Sequence, residues 1–342
     1  MRIVKPKLVE TRPHCFEKAV YDREIAKGIS GIKDYYTGGG TEIEEFDTVS
    51  YRQRLARPEV QGKDITTVPI EETNRLVKVG DHYIPICIYK REDIQKDVPV
   101  LIYIHGGGFA GGDIPFKANN CRYFAEQSGA VVVNVQYRLA PETLFPGPVE
   151  DCMGVLDWVY ENAAMLGVNK EKIAISGDSA GGTLAANVIL KDKERRIKLA
   201  LLIYGAYDLN DADHSFCKWD YSKYEIDEDH KEVIFNRLYD FRASSDVMGK
   251  VYVGGQYDLN DPDVSPIYAE DFSVFPKTVL IEAEFDYFRW DNVELAKKLE
   301  AAGVEVDELF YEGLDHGFFD RLGSLTQTAD SIEVMSDYIK KM

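Results

Sequence analysis

Cationic residues are in short supply in this chain. Lys and Arg total 40 against 59 Asp and Glu, a formal net charge of -19 over 342 residues. A protein that grips nucleic-acid phosphates needs a basic face, so nucleic acid is disfavoured as a partner. Anionic membranes and polyanionic substrates are disfavoured on the same ground, and the surplus of carboxylates reads as a solubility feature. Cysteine is also scarce. Cys15, Cys87, Cys121, Cys152 and Cys217 are odd in number, widely scattered, and form no C-x-x-C pair. This argues against a disulfide framework and a structural zinc site, and reduced thiols in a cytoplasmic protein are the simplest account. Met1 to Val20 is charged throughout and interrupted by Pro6 and Pro13, without the apolar stretch of a secretory signal. The apolar run Val98–Ile104 is too short to span a bilayer, so no stable membrane association is expected.

What is present is enough apolar material for a sizeable core, with 45% hydrophobic and 12% aromatic residues. The first 60 or so residues are polar and mixed, and include Ile25–Ile32 and the run Gly38-Gly39-Gly40. No Gly-Lys-Ser/Thr follows those glycines, so they read as a hinge rather than a phosphate loop. From about Ile65 short β-rich runs alternate with helical patterns. Asn74–Val79 and Tyr83–Tyr89 read as a hairpin around Gly80-Asp81. Val98–Ile104, Val131–Val135, Lys172–Ser176, Leu199–Ile203 and Thr278–Ile281 read as buried strands. Helical patterns cover Lys117–Gln127, Pro148–Ala163, Ser179–Lys191 and Asp291–Ala302, and Val304–Phe310 and Thr328–Lys340 continue the alternation. Such alternation implies an α/β fold with a mostly parallel central sheet and helices on both faces. Residues 206–264 break it. They carry Trp219, Tyr221, Tyr224, Tyr239 and the acidic run Glu225–Asp229, and are too long for a simple connection, which predicts an inserted lid subdomain.

Two motifs carry chemistry. Gly177-Asp178-Ser179-Ala180-Gly181-Gly182 follows a strand and opens a helix, the context that G-x-S-x-G requires. A sharp turn lifts the Ser179 hydroxyl above the sheet edge, and side chains at Gly177 or Gly181 would strike the neighbouring backbone. The helix N-terminus that follows favours a developing anion. The second motif is His105-Gly106-Gly107-Gly108-Phe109, at the end of the strand Val98–Ile104. Its glycines let backbone N–H groups approach a substrate carbonyl. Gly107, Gly108 and Ala180 are the candidate oxyanion donors. His105 sits on the donor loop and reads as its organiser. Phe109 and Phe318 are the candidate substrate contacts.

With these motifs the chain resembles the hormone-sensitive-lipase-like family of α/β-hydrolase esterases. From about Ile65 to the C-terminus the order matches: His105–Phe109, Tyr137-Arg138-Leu139-Ala140-Pro141-Glu142, Phe145-Pro146, Glu150-Asp151, Gly177–Gly182, Asp261-Pro262 with Ser265-Pro266, then an acid and a histidine segment. The resemblance implies an α/β-hydrolase fold with a two-segment lid. Residues 1–64 would be its N-terminal lid segment, 65–205 the first part of the core, 206–264 the inserted lid, and 265–342 the second part. It also makes a homodimer plausible and calls for no cofactor or metal.

A serine nucleophile needs a base, and the base needs an orienting carboxylate. In this fold class the order along the chain is Ser, acid, His. After Ser179 come only His214, His230 and His316. The first two fall in the inserted segment, whereas His316 follows a late strand and precedes Gly317-Phe318, where the family's histidine also sits. The acid should follow Thr278–Ile281. Asp286 is the choice, but the family's Asp-Pro-Leu-Arg-Asp is here Asp286-Tyr287-Phe288-Arg289-Trp290-Asp291, which leaves Glu284 and Asp291 as alternatives. The expected activity is hydrolysis of small-molecule short-chain acyl esters through Ser179, His316 and Asp286. The same residues would also serve an amidase, a formamidase or an acyltransferase, and a non-catalytic binding protein is a further reading. Tyr35, Tyr36, Trp219, Tyr221 and Tyr224 would either stack on a sugar ring or form the lid's own core.

Overall fold

The computed structural model describes residues 46–342 except 212, 218, 227, 229 and 230. The expectations for Ile25–Ile32, Gly38–Gly40, Tyr35, Tyr36 and His230 lie outside the described residues.

A hairpin opens the core. Strands β1 (Ile70–Val79) and β2 (His82–Arg91) pair in antiparallel register, turning at Gly80-Asp81. Gly80 takes φ +56, which costs glycine no steric strain. Then follow β3 (Val98–Ile104), α2 (Ile114–Ser128), β4 (Val131–Val135), α3 (Gly147–Glu161), the single turn α4 (Ala163–Leu166), β5 (Val168–Asp178), α5 (Ala180–Lys191) and β6 (Ile197–Ile203). After a long insertion come β7 (Lys277–Phe285), α7 (Arg289–Ala301), β8 (Val306–Asp315) and α8 (Thr326–Lys340). Helix α1 (Thr48–Leu55) precedes the hairpin, and α6 (Lys231–Val253) lies inside the insertion.

One eight-stranded sheet results, in the order β1-β2-β4-β3-β5-β6-β7-β8. β2 runs antiparallel to both neighbours, and β4 through β8 are parallel. Every residue of β4 is buried, as are Ile173–Ser176 of β5 and Leu199–Ile203 of β6. Continuous β-branched and leucine runs form these strands because both faces are covered and no polar alternation is required. Helices α2 and α8 pack together on one face, α3 and α5 together on the other. Helix α2 shows how the ends are set: Asp113 caps it by accepting the Phe116 N–H at 2.8 Å, and Gly129 at φ +66 stops it.

The strand order reverses at β3. The chain leaves β3 for β4 on one side and returns to β5 on the other, so the loops that follow β3 and β5 part company above the sheet. Such a switch point at the carboxyl ends of the strands opens a crevice.

Two segments cover that crevice. In the insertion, Tyr207–Asp211 and Tyr257–Asp261 share the sequence YDLND, and Asn210 Nδ2 donates to Asn260 Oδ1 at 3.2 Å, joining its two ends. Helix α1 is pinned by Arg52, which donates to the carbonyls of Ala110 (2.7 Å) and Ala140 (2.9 Å) and grips both carboxylate oxygens of Glu142. Tyr51 and Leu55 of α1 then pack with Phe116 and with Val247, Met248 and Val251 of α6 in a small apolar cluster of their own. Among the described residues no helix is long and apolar enough to cross a membrane.

Candidate active site

Ser179 stands between β5 and α5 with φ 55 and ψ -124, a positive φ that a non-glycine residue adopts only under constraint. The constraint is close packing. A Cβ on Gly177 would meet the Gly181 carbonyl oxygen at 2.3 Å, and one on Gly181 would meet the Ile104 carbonyl oxygen at 2.1 Å. The Ser179 N–H donates to the Ile203 carbonyl at 2.9 Å, tying the turn to β6. The hydroxyl is thereby held over the sheet edge at the N-terminus of α5, whose dipole favours negative charge.

His316 follows β8 and Asp286 follows β7, so adjacent parallel strands deliver both to the same edge. His316 Nε2 lies 2.9 Å from Ser179 Oγ, and His316 Nδ1 lies 2.7 Å from Asp286 Oδ2. A carboxylate only accepts, so Nδ1 carries the proton and Nε2 is left as the acceptor facing the hydroxyl. Asp286 is fully buried, and its Oδ1 accepts the Phe288 N–H at 2.8 Å. The other acids do different work. Glu284 accepts the Gly313 N–H at 2.8 Å, bracing the histidine segment, and Asp291 accepts the Asp208 N–H at 3.1 Å. His214 is largely exposed and pairs with Asp211.

The glycine loop faces the serine. Gly107 and Gly108 take φ +123 and +57, and the Gly107 carbonyl turns away to accept from Ala110 and Gly111. The N–H groups of Gly107, Gly108 and Ala180 have no intramolecular acceptor among the described residues, which leaves them available to an oxyanion. His105 is fully buried behind them. Its Nδ1 meets the Gly106 carbonyl at 2.8 Å, its ring stacks on Tyr137 at 4.4 Å, and burial lowers its pKa from the ordinary histidine value.

Phe109 lines the cavity beside Ser179, stacked on Tyr252 at 3.9 Å. Phe318 does not reach it. Gly317 at φ +82 turns the chain inward, and the Phe318 ring is completely buried against Tyr204 and Tyr311. Of the insertion's aromatics Phe241 lines the cavity, whereas Trp219, Tyr221 and Tyr224 stay out of it. Trp219 packs on Tyr224, Tyr239 and Tyr287, and Tyr221 on Phe235, so they make a core of their own. Among the described residues no cluster of three or more His, Cys, Asp or Glu side chains is arranged to hold a metal ion.

Three contacts from the insertion reach the acid and base segments, and sequence reasoning missed them. The Tyr224 hydroxyl donates to the Asp286 carbonyl at 2.8 Å. The Phe241 ring lies 4.2 Å from the His316 ring. Arg237, one helical turn before Phe241, donates to Asp315 at 2.7 Å. Burial pushes the Asp315 carboxyl up, but Arg237 and then Arg321 outweigh it and hold the pKa below the usual value. Removing Arg237 would strand most of that charge. Arg237→Gln is therefore expected to lower unfolding free energy by about 2–3 kcal/mol, with Arg321 compensating in part, and to reduce kcat by loosening the residue beside His316. Urea titration and steady-state kinetics check this; wild-type values in both would remove Arg237 from the positioning of His316.

The chain is similar to known proteins along most of its length. A family model described as alpha/beta hydrolase fold matches residues 101–320. An arylesterase of Saccharolobus solfataricus is 29% identical over 305 residues, covering 89% of this chain and 94% of that protein. A versiconal hemiacetal acetate esterase of Dothistroma septosporum is 33% identical over 238 residues, covering 68% of this chain and 70% of that protein. The solved structure of a Pyrobaculum calidifontis esterase superposes with a TM-score of 0.74 at 27% identity, covering 94% of this chain and 99% of that one.

Proposed function

Because this chain belongs to the α/β-hydrolase family, in its hormone-sensitive-lipase-like branch, and is a carboxylic ester hydrolase, we propose that it cleaves short-chain acyl esters with Ser179 as nucleophile, His316 as base and Asp286 as orienting acid. The observation that carries this reading is the unbroken hydrogen-bonded line from Ser179 Oγ through the imidazole to the Asp286 carboxylate.

As Ser179 Oγ attacks the ester carbonyl, its proton passes to His316 Nε2. Asp286 holds the ring orientation and stabilises the imidazolium. Charge collects on the carbonyl oxygen, and the N–H groups of Gly107, Gly108 and Ala180 would receive it. His316 then returns the proton to the leaving alkoxide oxygen, releasing the alcohol. Water, deprotonated by the same imidazole, cleaves the acyl-enzyme, frees the acid and restores Ser179.

The short-acyl preference is supported by the size and walls of the cavity. It offers about 60 Å³, with Tyr51, Phe109, Phe116 and Phe288 among its walls. The Dothistroma relative's name also specifies an acetate ester. With 4-nitrophenyl esters from acetate to decanoate, kcat/KM is expected to peak between acetate and butyrate. It should fall by on the order of tenfold or more at decanoate, since a chain too long for its pocket must displace packed side chains. A maximum at the longest chains would overturn the preference.

A further inference from the structure

Behind the glycine loop lies a charged group that the relay does not use. Lys117 of α2 has no exposed surface, and its Nζ sits 2.9 Å from Asp178 Oδ2 and hydrogen-bonded to Asp320 Oδ1. Burial pulls the ammonium's pKa down, but the two carboxylates outweigh it and hold it above the ordinary lysine value. Asp178 is fully occupied, since its Oδ1 also accepts from the Tyr103 hydroxyl (2.5 Å) and the Gly106 N–H (3.0 Å). Asp320 is not. Its Oδ2 accepts from no group among the described residues, and the side chain lines the same cavity as Ser179. The Tyr51 hydroxyl, on a side chain that is 4% exposed, lines that cavity too and has no hydrogen-bond partner among the described residues.

We propose that Asp320, with Tyr51, selects esters whose acyl or alcohol group carries a hydrogen-bond donor, a hydroxyl or an ammonium, and rejects those that carry a carboxylate. The inference rests on the ester-hydrolase reading and adds its substrate class. Burial raises the Asp320 pKa, Lys117 opposes that shift and Asp178 adds to it; with both carboxyls ionised against one ammonium, the buried group is net negative. The remaining walls are mostly apolar, so that charge is little screened. A donor placed on Asp320 forms a charge-assisted hydrogen bond, whereas a methyl group in its place leaves a buried acceptor unpaired. A second anion is repelled.

The test compares near-isosteric pairs in the wild type, Asp320→Asn and Tyr51→Phe. One pair fixes the alcohol: 4-nitrophenyl 3-hydroxybutyrate against 3-methylbutyrate. Another fixes the acyl group: 2-hydroxyethyl acetate against propyl acetate. A 4-nitrophenyl hemisuccinate against the pentanoate reads the charge. Comparing each ratio between variants cancels intrinsic reactivity. In at least one neutral pair the hydroxyl-to-methyl ratio of kcat/KM is expected to fall on the order of tenfold in Asp320→Asn and severalfold in Tyr51→Phe. The hemisuccinate-to-pentanoate ratio should rise on the order of tenfold in Asp320→Asn. Tyr51→Phe changes no charge, so it decides the matter if Asp320→Asn does not fold. Ratios that stay flat in the folded variants overturn this inference alone, and a wild type that turns over none of these esters overturns the reading beneath it.

Discussion

Ser179→Ala is expected to lower kcat for ester hydrolysis by about 10⁶-fold and to leave the fold unchanged. The size follows from the covalent step: without Oγ there is no acyl-enzyme, and only the oxyanion donors and substrate binding remain to act on a water. Those remnants still accelerate hydrolysis by roughly 10³–10⁴-fold over the uncatalysed reaction in serine hydrolases with the same relay. Because Ser179 and His316 act as one unit across their 2.9 Å contact, His316→Ala and the double variant should lose about as much as the single serine change. Removing Oγ takes away a hydroxyl whose structural partner is His316, and the backbone bond from Ser179 to Ile203 persists. Circular dichroism and the urea midpoint should therefore match the wild type. A fluorophosphonate should label the wild type at one site and the variant at none. Residual turnover above about 1% of wild type would reject Ser179 as nucleophile.

How much of this was legible beforehand depends on what kind of physics fixes each part. The glycines of 177–182 and 106–108 could be read because the chemistry demands close backbone approach, and only glycine permits it. The buried strands could be read because continuous β-branched runs have few other uses. The choice among Glu284, Asp286 and Asp291 stayed open because all three flank the end of one strand. Only the placement of His316, thirty residues further on, separates them. The sequence marks the segment of α6 as part of an insertion but not as a helix. Its buried residues Ile234, Leu238, Phe241, Met248 and Tyr252 do follow helical spacing, yet Ser244, Ser245 and Gly249 interrupt the pattern with poor helix formers. Arg237 and its carboxylate lie 78 residues apart, and no local pattern announces such a pair. The expected substrate contact at Phe318 fails for a local reason: the left-handed Gly317 before it turns the ring into the core.

Gly181→Ala sets two effects of opposite sign against each other. Gly181 occupies the first turn of α5, where helix propensity alone would make alanine more stable than glycine by up to about 1 kcal/mol. Its Cβ, however, would lie 2.1 Å from the Ile104 carbonyl oxygen and 2.7 Å from that of His105. Both obstacles are backbone at the end of β3, where the donor loop begins. Neither can rotate aside as a side chain would. Relief requires α5 to withdraw from β3, which moves Ala180 away from Gly107 and Gly108 and tilts the turn that carries Ser179. The overpacking should win by a wide margin, costing about 4 kcal/mol or more of a stability that for most domains is only about 5–15 kcal/mol. The expected result is a variant that is largely insoluble, or soluble with a lowered urea midpoint, and without measurable ester turnover. A Gly181→Ala protein with wild-type stability and wild-type kcat/KM would show that the serine turn does not depend on this backbone contact, and that the donor loop and the nucleophile are held together by something else.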